Sequence, residues 1–364
     1  MTEKTVFIVG AGFSANAGLP LQSEFTEIFL RANSYTTGKS KDLMPFLGEF
    51  VEKTFGFEAD HDLSSYPELE DVFTLLDLSA NTGHHLGAHY SPRDLRMLRR
   101  MLLSRTIHML NTAYYAGKSK PKPERKRFLE FLKGLSAERH QFVSLNWDTV
   151  LEGGLDEVSS LCTPMYSSEI RLGFIEDDEL IPKPTPAKSD RLLIAKMHGS
   201  INWLYCDCCR RTHAVPFDQV SRLGSQVLQS DEGEKLYGNK ARPRLSCPYC
   251  SVDLSVRLAT FSFQKALRTP MFESSWLGAE KALRDAKKWV FIGYSLPAAD
   301  FEFKYLLKRV QLARAIPPEL TVVTKAPDPV DSAALRSYRK FFGEDSFTVF
   351  YKGLTQTAMT KILD

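Results

Sequence analysis

Short apolar runs recur along the chain, and several end abruptly in a glycine, asparagine or histidine before an amphipathic stretch begins. Thr5–Val9, Gln141–Leu145, Leu192–Met197, Trp289–Ile292, Leu320–Val323 and Phe347–Phe350 are mostly continuous rather than alternating, the pattern of strands buried on both faces. Between them the spacing turns helical. Leu21, Phe25, Ile28 and Phe29 form one stripe, Leu95, Leu98, Leu102, Leu103 and Ile107 a second, and Phe303, Leu306, Leu307 and Val310 a third. Prolines 67, 92 and 123 each open a helical segment. Strands separated by helices predict an α/β fold, a Rossmann-like doubly wound parallel sheet with a helical insertion and a small zinc-binding lobe. The expected division is a Rossmann-like domain from 1–34, 136–205 and 251–364, a helical insertion 35–135, and a cysteine-bearing lobe 206–250. Gly153–Asp190 reads as a long loop or hairpin, and Gln219–Lys240 as a polar loop.

Composition narrows the function classes. The 364 residues carry a formal net charge of only +3, so global charge implies neither a nucleic-acid nor a membrane partner. No apolar stretch is long enough to span a bilayer, and the N-terminal run, preceded by Glu3 and broken by glycines, does not read as a signal peptide. A cytoplasmic protein is expected. The basic run Lys118–Arg127 reads as a solvated linker, and His84, His85 and His89 lack acidic or cysteine partners for a metal.

Five of the six cysteines crowd between Cys206 and Cys250, which in a reducing compartment points to a metal rather than disulfides. Cys206 and Cys209 form one C-x-x-C, Cys247 and Cys250 another, and four thiolates make a closed tetrahedral Zn²⁺ site of structural type. Cys208 is an alternative ligand to either neighbour. A redox role for the first pair lacks the strand–helix context of thioredoxin-type sites.

The strand ends carry the other chemistry. Gly10, Ala11 and Gly12 leave room for backbone to approach a phosphate, with the Ser14 hydroxyl beside them; a purely structural glycine turn is the alternative. Asn146 and Asp148 follow the second strand, either as site residues or as a strand-end amide and a helix cap. His198 ends the third. If these strands are parallel neighbours, all three segments converge on one crevice, where a histidine can act as a base near neutral pH. Gly293 and Ser295 repeat the glycine-and-hydroxyl pattern after a later strand.

In this order the segments resemble the sirtuin superfamily, and within it the divergent bacterial SIR2-like branch, from about Val6 to Phe350. GAGFSANAGLP resembles the family's first NAD-binding loop, SLNWD its Gln-Asn-Ile-Asp segment, KMHGSINW its catalytic-histidine segment, and FIGYSLPAAD its later Gly-Thr-Ser or Gly-Tyr-Ser loop. The resemblance implies that Gly10, Ala11, Gly12 and Ser14 hold the NAD pyrophosphate, Asn146 orients the nicotinamide ribose or a water, Asp148 meets the carboxamide, and His198 is the catalytic base. It places Gly293 and Ser295 on the adenosine side, with Thr324 or Lys325 near the adenosine ribose. Two features of deacylating sirtuins are missing: Asp-Phe-Arg after the first loop, where Leu21, Gln22 and Ser23 follow Pro20, and Phe-Gly-Glu after the zinc lobe, where Leu258–Phe263 stands. NAD⁺ hydrolysis to nicotinamide and ADP-ribose is therefore expected ahead of protein deacylation or a non-catalytic NAD or ADP-ribose sensor. SIR2-like chains are similar to antiphage-defence effectors that act by NAD depletion. That implies gating through a homo-oligomer or a partner such as a HerA-type ATPase, with the helical region as the contact surface.

Overall fold

A computed structural model of the chain describes residues 3–31, 43–56, 67–159, 162–166, 170–184, 190–229, 231–233, 243–259, 270–326, 332–344 and 346–364. A seven-stranded parallel sheet organises them. Its strands are β1 (Thr5–Val9), β2 (His140–Ser144), β3 (Thr163–Met165), β6 (Arg191–Lys196), β9 (Lys288–Ile292), β10 (Glu319–Val323) and β11 (Phe347–Phe350). The order is β11-β10-β9-β1-β2-β6-β3. The chain builds outward from β1 on one side, then returns to lay β9 on the other, so the topological switch falls beside β1, where ligands of open α/β sheets bind.

β1 is buried throughout because both its faces are covered. Phe7 and Val9 enter one core with the helices of the insertion. Val6 and Ile8 enter a second core with α8 (Pro270–Asp285), α9 (Phe301–Leu312) and α10 (Ala333–Phe342). This period-two split is what a doubly wound sheet requires of a central strand. The insertion supplies α3 (Leu43–Phe55), α4 (Leu69–Thr82), α5 (Pro92–Ser119) and α6 (Pro123–Lys133). At the head of α5, Ser91 Oγ accepts from the Asp94 N–H while Asp94 Oδ2 accepts from the Ser91 N–H at 3.0 Å, with Pro92 at the first helical position. Leu98, Met101 and Phe131 of these helices lie in the same core as Phe7, with Phe131 edge-on to Phe7 at 5.2 Å. The insertion thus completes one layer of the sheet.

Three expectations change and one is met. The first helix is interrupted: α1 (Ala11–Ala15) stops before Gly18, which has φ +103°, and Pro20, and α2 (Phe25–Arg31) begins only after a single 3₁₀ turn. Leu21 is consequently 43% exposed rather than part of a buried stripe. The polar loop expected at 219–240 begins instead as a 3₁₀ helix, Phe217–Val227, whose Val220 and Leu223 are buried; residues 230 and 234–240 lie outside the described residues. Gly153–Asp190 does contain a hairpin, the second of its two expected forms: after the end of α7 (Val150–Glu157) and β3, β4 (Ile170–Glu176) pairs with β5 (Glu179–Pro182). The basic run is not wholly solvated. Arg125 is 2% exposed, donating to the Ala17 carbonyl at 2.9 Å and to Glu157 at 2.7 Å, and so ties α6 to the segment after the glycine turn.

The hairpin belongs to a second, four-stranded sheet, β5-β4-β8-β7, with β7 (Trp203–Tyr205) and β8 (Thr212–Ala214). Among the described residues no helix is long and apolar enough to cross a membrane.

Candidate active site and cysteine cluster

The loops after β1 and β9 meet where the strand order reverses. Gly12 N–H donates to the Gly293 carbonyl at 2.9 Å, and Gly10 N–H to that of Ile292 at 3.2 Å. A Cβ on Gly10 would stand 2.7 Å from Gly293 O, and one on Gly12 2.8 Å from Gly293 Cα. Gly293 itself has φ +60°, and its Cβ would lie 2.2 Å from Phe13 N. Close contact between the two loops is therefore one physical reason for these glycines, independent of any ligand.

From this interlock a buried polar cluster extends under the loop. The Ser14 hydroxyl donates to Asp148 Oδ2 at 2.7 Å and accepts from Asn146 Nδ2 at 2.9 Å; the same amide nitrogen donates to the Gly10 carbonyl at 2.8 Å. Both amide hydrogens of Asn146 are thereby committed within the protein, which leaves its Oδ1 as the atom that can accept from a bound group. Asp148 Oδ1 accepts from the Val150 N–H at 3.0 Å, so Asp148 also caps the start of α7. Burial raises the Asp148 carboxyl above the usual carboxylate range, opposed by the Lys196 ammonium and the Ser14 hydroxyl. Lys196, 2% exposed, donates to the Asp148 carbonyl and lies 3.4 Å from Glu152 Oε1.

His198 leaves the end of β6 through Gly199, which has φ +81°. Its Nδ1 lies 3.1 Å from the Leu145 carbonyl, a geometry that places the proton on Nδ1 and leaves Nε2 as the basic atom. Nε2 is 3.6 Å from Asp300 Oδ1, and the Tyr294 hydroxyl donates to Asp300 Oδ2 at 2.9 Å. Burial, then the Asp300 charge, holds the Tyr294 phenol well above its ordinary value, so it remains a donor.

These groups line one cleft of about 440 Å³, within the usual range of small-molecule sites. Gly10, Ala11, Gly12, Ser14, Asn146, Asp148, His198, Gly293, Ser295 and Thr324 all lie on its wall, as does Lys325. The structure thus brings together every residue that the strand-end pattern and the resemblance single out around the crevice. It adds Asp300 and Tyr294, and Glu70 from the helical insertion. Asp300 stands at the end of GYSLPAAD, where the sequence reads as a helix opening; only the fold shows its carboxylate facing the histidine.

The cysteines assemble separately. The sulfurs of Cys206, Cys209, Cys247 and Cys250 all lie within 4.8 Å of one another, with Cys206–Cys250 at 3.4 Å and Cys209–Cys247 at 3.6 Å. Four sulfurs about 2.3 Å from one Zn²⁺ would be separated by about 3.8 Å, so the donor set fits that ion. Two matching knuckles present them. The Arg210 N–H donates to the Cys206 carbonyl at 2.9 Å and the Ser251 N–H to that of Cys247 at 2.9 Å, with Arg210 at φ +58° and Ser251 at φ +59°. Cys208 is exposed and outside the cluster.

No protein-family model and no curated protein matches the chain. Among solved structures it is similar to one described as "Structural Basis for the Mechanism and Regulation of Sir2 Enzymes", at 14% identity over 100% of this chain and 92% of that one, with a TM-score of 0.40. It is also similar to a Sir2–p53 peptide–NAD⁺ structure, at 13% identity over 99% and 92% with a TM-score of 0.35. A third is Sir2Tm bound to a propionylated peptide, at 14% identity over 99% and 92% with a TM-score of 0.35.

Proposed function

We propose that the chain is an NAD⁺ hydrolase that cleaves the nicotinamide–ribose bond to give nicotinamide and ADP-ribose. The observation that carries this is the convergence of the glycine turn, Asn146 and His198 on one cleft at the switch point of the sheet. Nicotinamide departs as a neutral molecule from a cationic ring, so the reaction needs no general acid for the leaving group. It needs a positioned acceptor for the ribose or water, a base, and negative charge near a transition state of oxocarbenium character. In this cleft Asn146 Oδ1 accepts, Nε2 of His198 is the base, and Asp300 supplies charge. Ala11 and the glycine turn face the pyrophosphate, with Gly293, Ser295 and Thr324 toward the adenosine. Asp148 meets the carboxamide while holding Ser14. The Cys₄ cluster holds a structural Zn²⁺; with four protein sulfurs and no open position, it takes no part in the chemistry.

A role in antiphage defence, with gating by self-association or an ATPase partner, is the biological setting we attach to this activity. The test is to incubate purified chain with NAD⁺, with and without an acetyl-lysine peptide, and to follow nicotinamide release. Release without peptide supports hydrolysis. Release only with peptide, together with O-acetyl-ADP-ribose, makes it a deacylase; binding of intact NAD⁺ makes it a sensor.

A further inference from the structure

The balance of the hydrolysis singles out one more residue. NAD⁺ and water give nicotinamide, ADP-ribose and one proton: the C–N bond breaks with its electron pair going to the ring nitrogen, and a hydroxyl oxygen forms the new bond to carbon. The released proton needs an acceptor inside the cleft. His198, 4% exposed, can take it only if the resulting imidazolium is compensated, because an isolated buried charge is costly.

Asp300 lies where that compensation is needed. It is 6% exposed, with Oδ1 3.6 Å from His198 Nε2. Its other oxygen is fixed by the buried Tyr294 hydroxyl at 2.9 Å, and Tyr294 is held in turn by its carbonyl accepting from the Tyr338 hydroxyl at 2.9 Å. The other side of the imidazole is fixed at Nδ1 by the Leu145 carbonyl. A chain of contacts therefore runs from α10 through the β9–α9 loop to the histidine and on to the end of β2. We propose that Asp300 is a positioning residue for His198, orienting the ring and stabilising its protonated form; the assignment rests on reading the cleft as the NAD⁺ site. Lys304, in the first turn of α9, interacts electrostatically with Asp300; the remaining charged groups around the pair are engaged elsewhere. Asp148, across the cleft, holds Ser14 and the Val150 N–H. Lys196, two residues before His198, is turned to the Asp148 carbonyl and Glu152. Arg257, beside the Leu258–Ala259 segment that pairs with the His198 carbonyl, is exposed and bound to Asp207.

The experiment has two readouts. In histidine-labelled protein without substrate, the His198 imidazole is titrated by NMR in wild type, Asp300→Asn and Asp300→Glu, with Asp300→Ser as a second neutral replacement should the Asn variant misfold. Loss of the carboxylate is expected to lower the imidazole pKa by about one unit or more, and Asp300→Glu to recover part of it. An imidazole that titrates identically in wild type and a neutral variant overturns the proposal, whatever the turnover. In the NAD⁺ assay, kcat is expected to fall roughly 10- to 100-fold in Asp300→Asn with KM within about twofold, and the acid limb of the pH profile to move down with the imidazole. A rise in KM alone, with the limb unmoved, also overturns it. If wild type consumes no NAD⁺, the functional assignment fails by itself, while the NMR titration still decides the pair.

Discussion

Gly293→Ala is the sharpest perturbation of the loop interlock. The added methyl would sit 2.2 Å from Phe13 N and 2.3 Å from Gly12 C, whereas ordinary contact begins near 3.4 Å, so the loops must part by more than 1 Å. Parting them breaks the 2.9 Å bond from Gly12 N–H to the Gly293 carbonyl. A buried amide left unsatisfied costs about 1–3 kcal/mol, and an alanine at the positive φ of Gly293 adds about 1–2 kcal/mol. The expected loss is therefore about 2–5 kcal/mol, read as a lower urea midpoint at unchanged m-value. Gly278→Ala is the internal control: it lies within α8, nothing stands within 4 Å of its Cβ position, and the change should stabilise by about 0.5–1 kcal/mol. Equal midpoints for Gly293→Ala and wild type, or equal losses in both variants, would refute the steric account.

Three further outcomes follow from the geometry. The purified chain should carry one Zn²⁺, and Cys247→Ser or a strong chelator should remove it and lower the melting temperature by several degrees; a metal-free chain of unchanged stability would contradict the cluster assignment. His140, 1% exposed, accepts the Ser136 N–H on Nδ1, and burial, with Arg139 and Lys288 nearby, holds its pKa down at about 4. Because the unfolded chain then binds a proton that the folded chain does not, stability should fall as pH drops from 6.5 toward 4, by about 3 kcal/mol from this residue at full effect. Urea midpoints across that window should be flatter in His140→Gln; an equal slope would show that His140 is not responsible. Ser14→Ala should leave Asp148 Oδ2 and Asn146 Nδ2 each short of a partner, destabilise by about 1–3 kcal/mol and weaken NAD⁺ turnover; wild-type values for both would place the cluster outside the machinery.

The sheet was legible because its central strands are buried on both faces, and continuous apolar runs such as Thr5–Val9 have no other comfortable home. Convergence of the glycine turn, Asn146 and His198 was legible for the same reason: parallel strands put their ends on one side. What sequence could not show is direction. Asn146 turns its amide hydrogens inward, Arg125 enters the core from a run of charges, and Asp300 faces a histidine rather than simply opening a helix. Such choices are made by partners more than a hundred residues away, which local periodicity does not register. The shortest strands were hidden for a different reason: β3, β7 and β8 are three residues each, too short to carry an alternation; β3 is held by β6 at the edge of the main sheet, and β7 and β8 by each other in the second sheet.

The most direct test of the hydrolase assignment is a product measurement on three proteins. Wild type, Asn146→Ala and His198→Ala are incubated with NAD⁺ alone, and nicotinamide and ADP-ribose are quantified together. Equal amounts of the two products from wild type, with at least roughly a 100-fold loss in each variant while both variants still unfold cooperatively from a folded state, is the expected result. Nicotinamide release that survives in His198→Ala or Asn146→Ala would contradict the account.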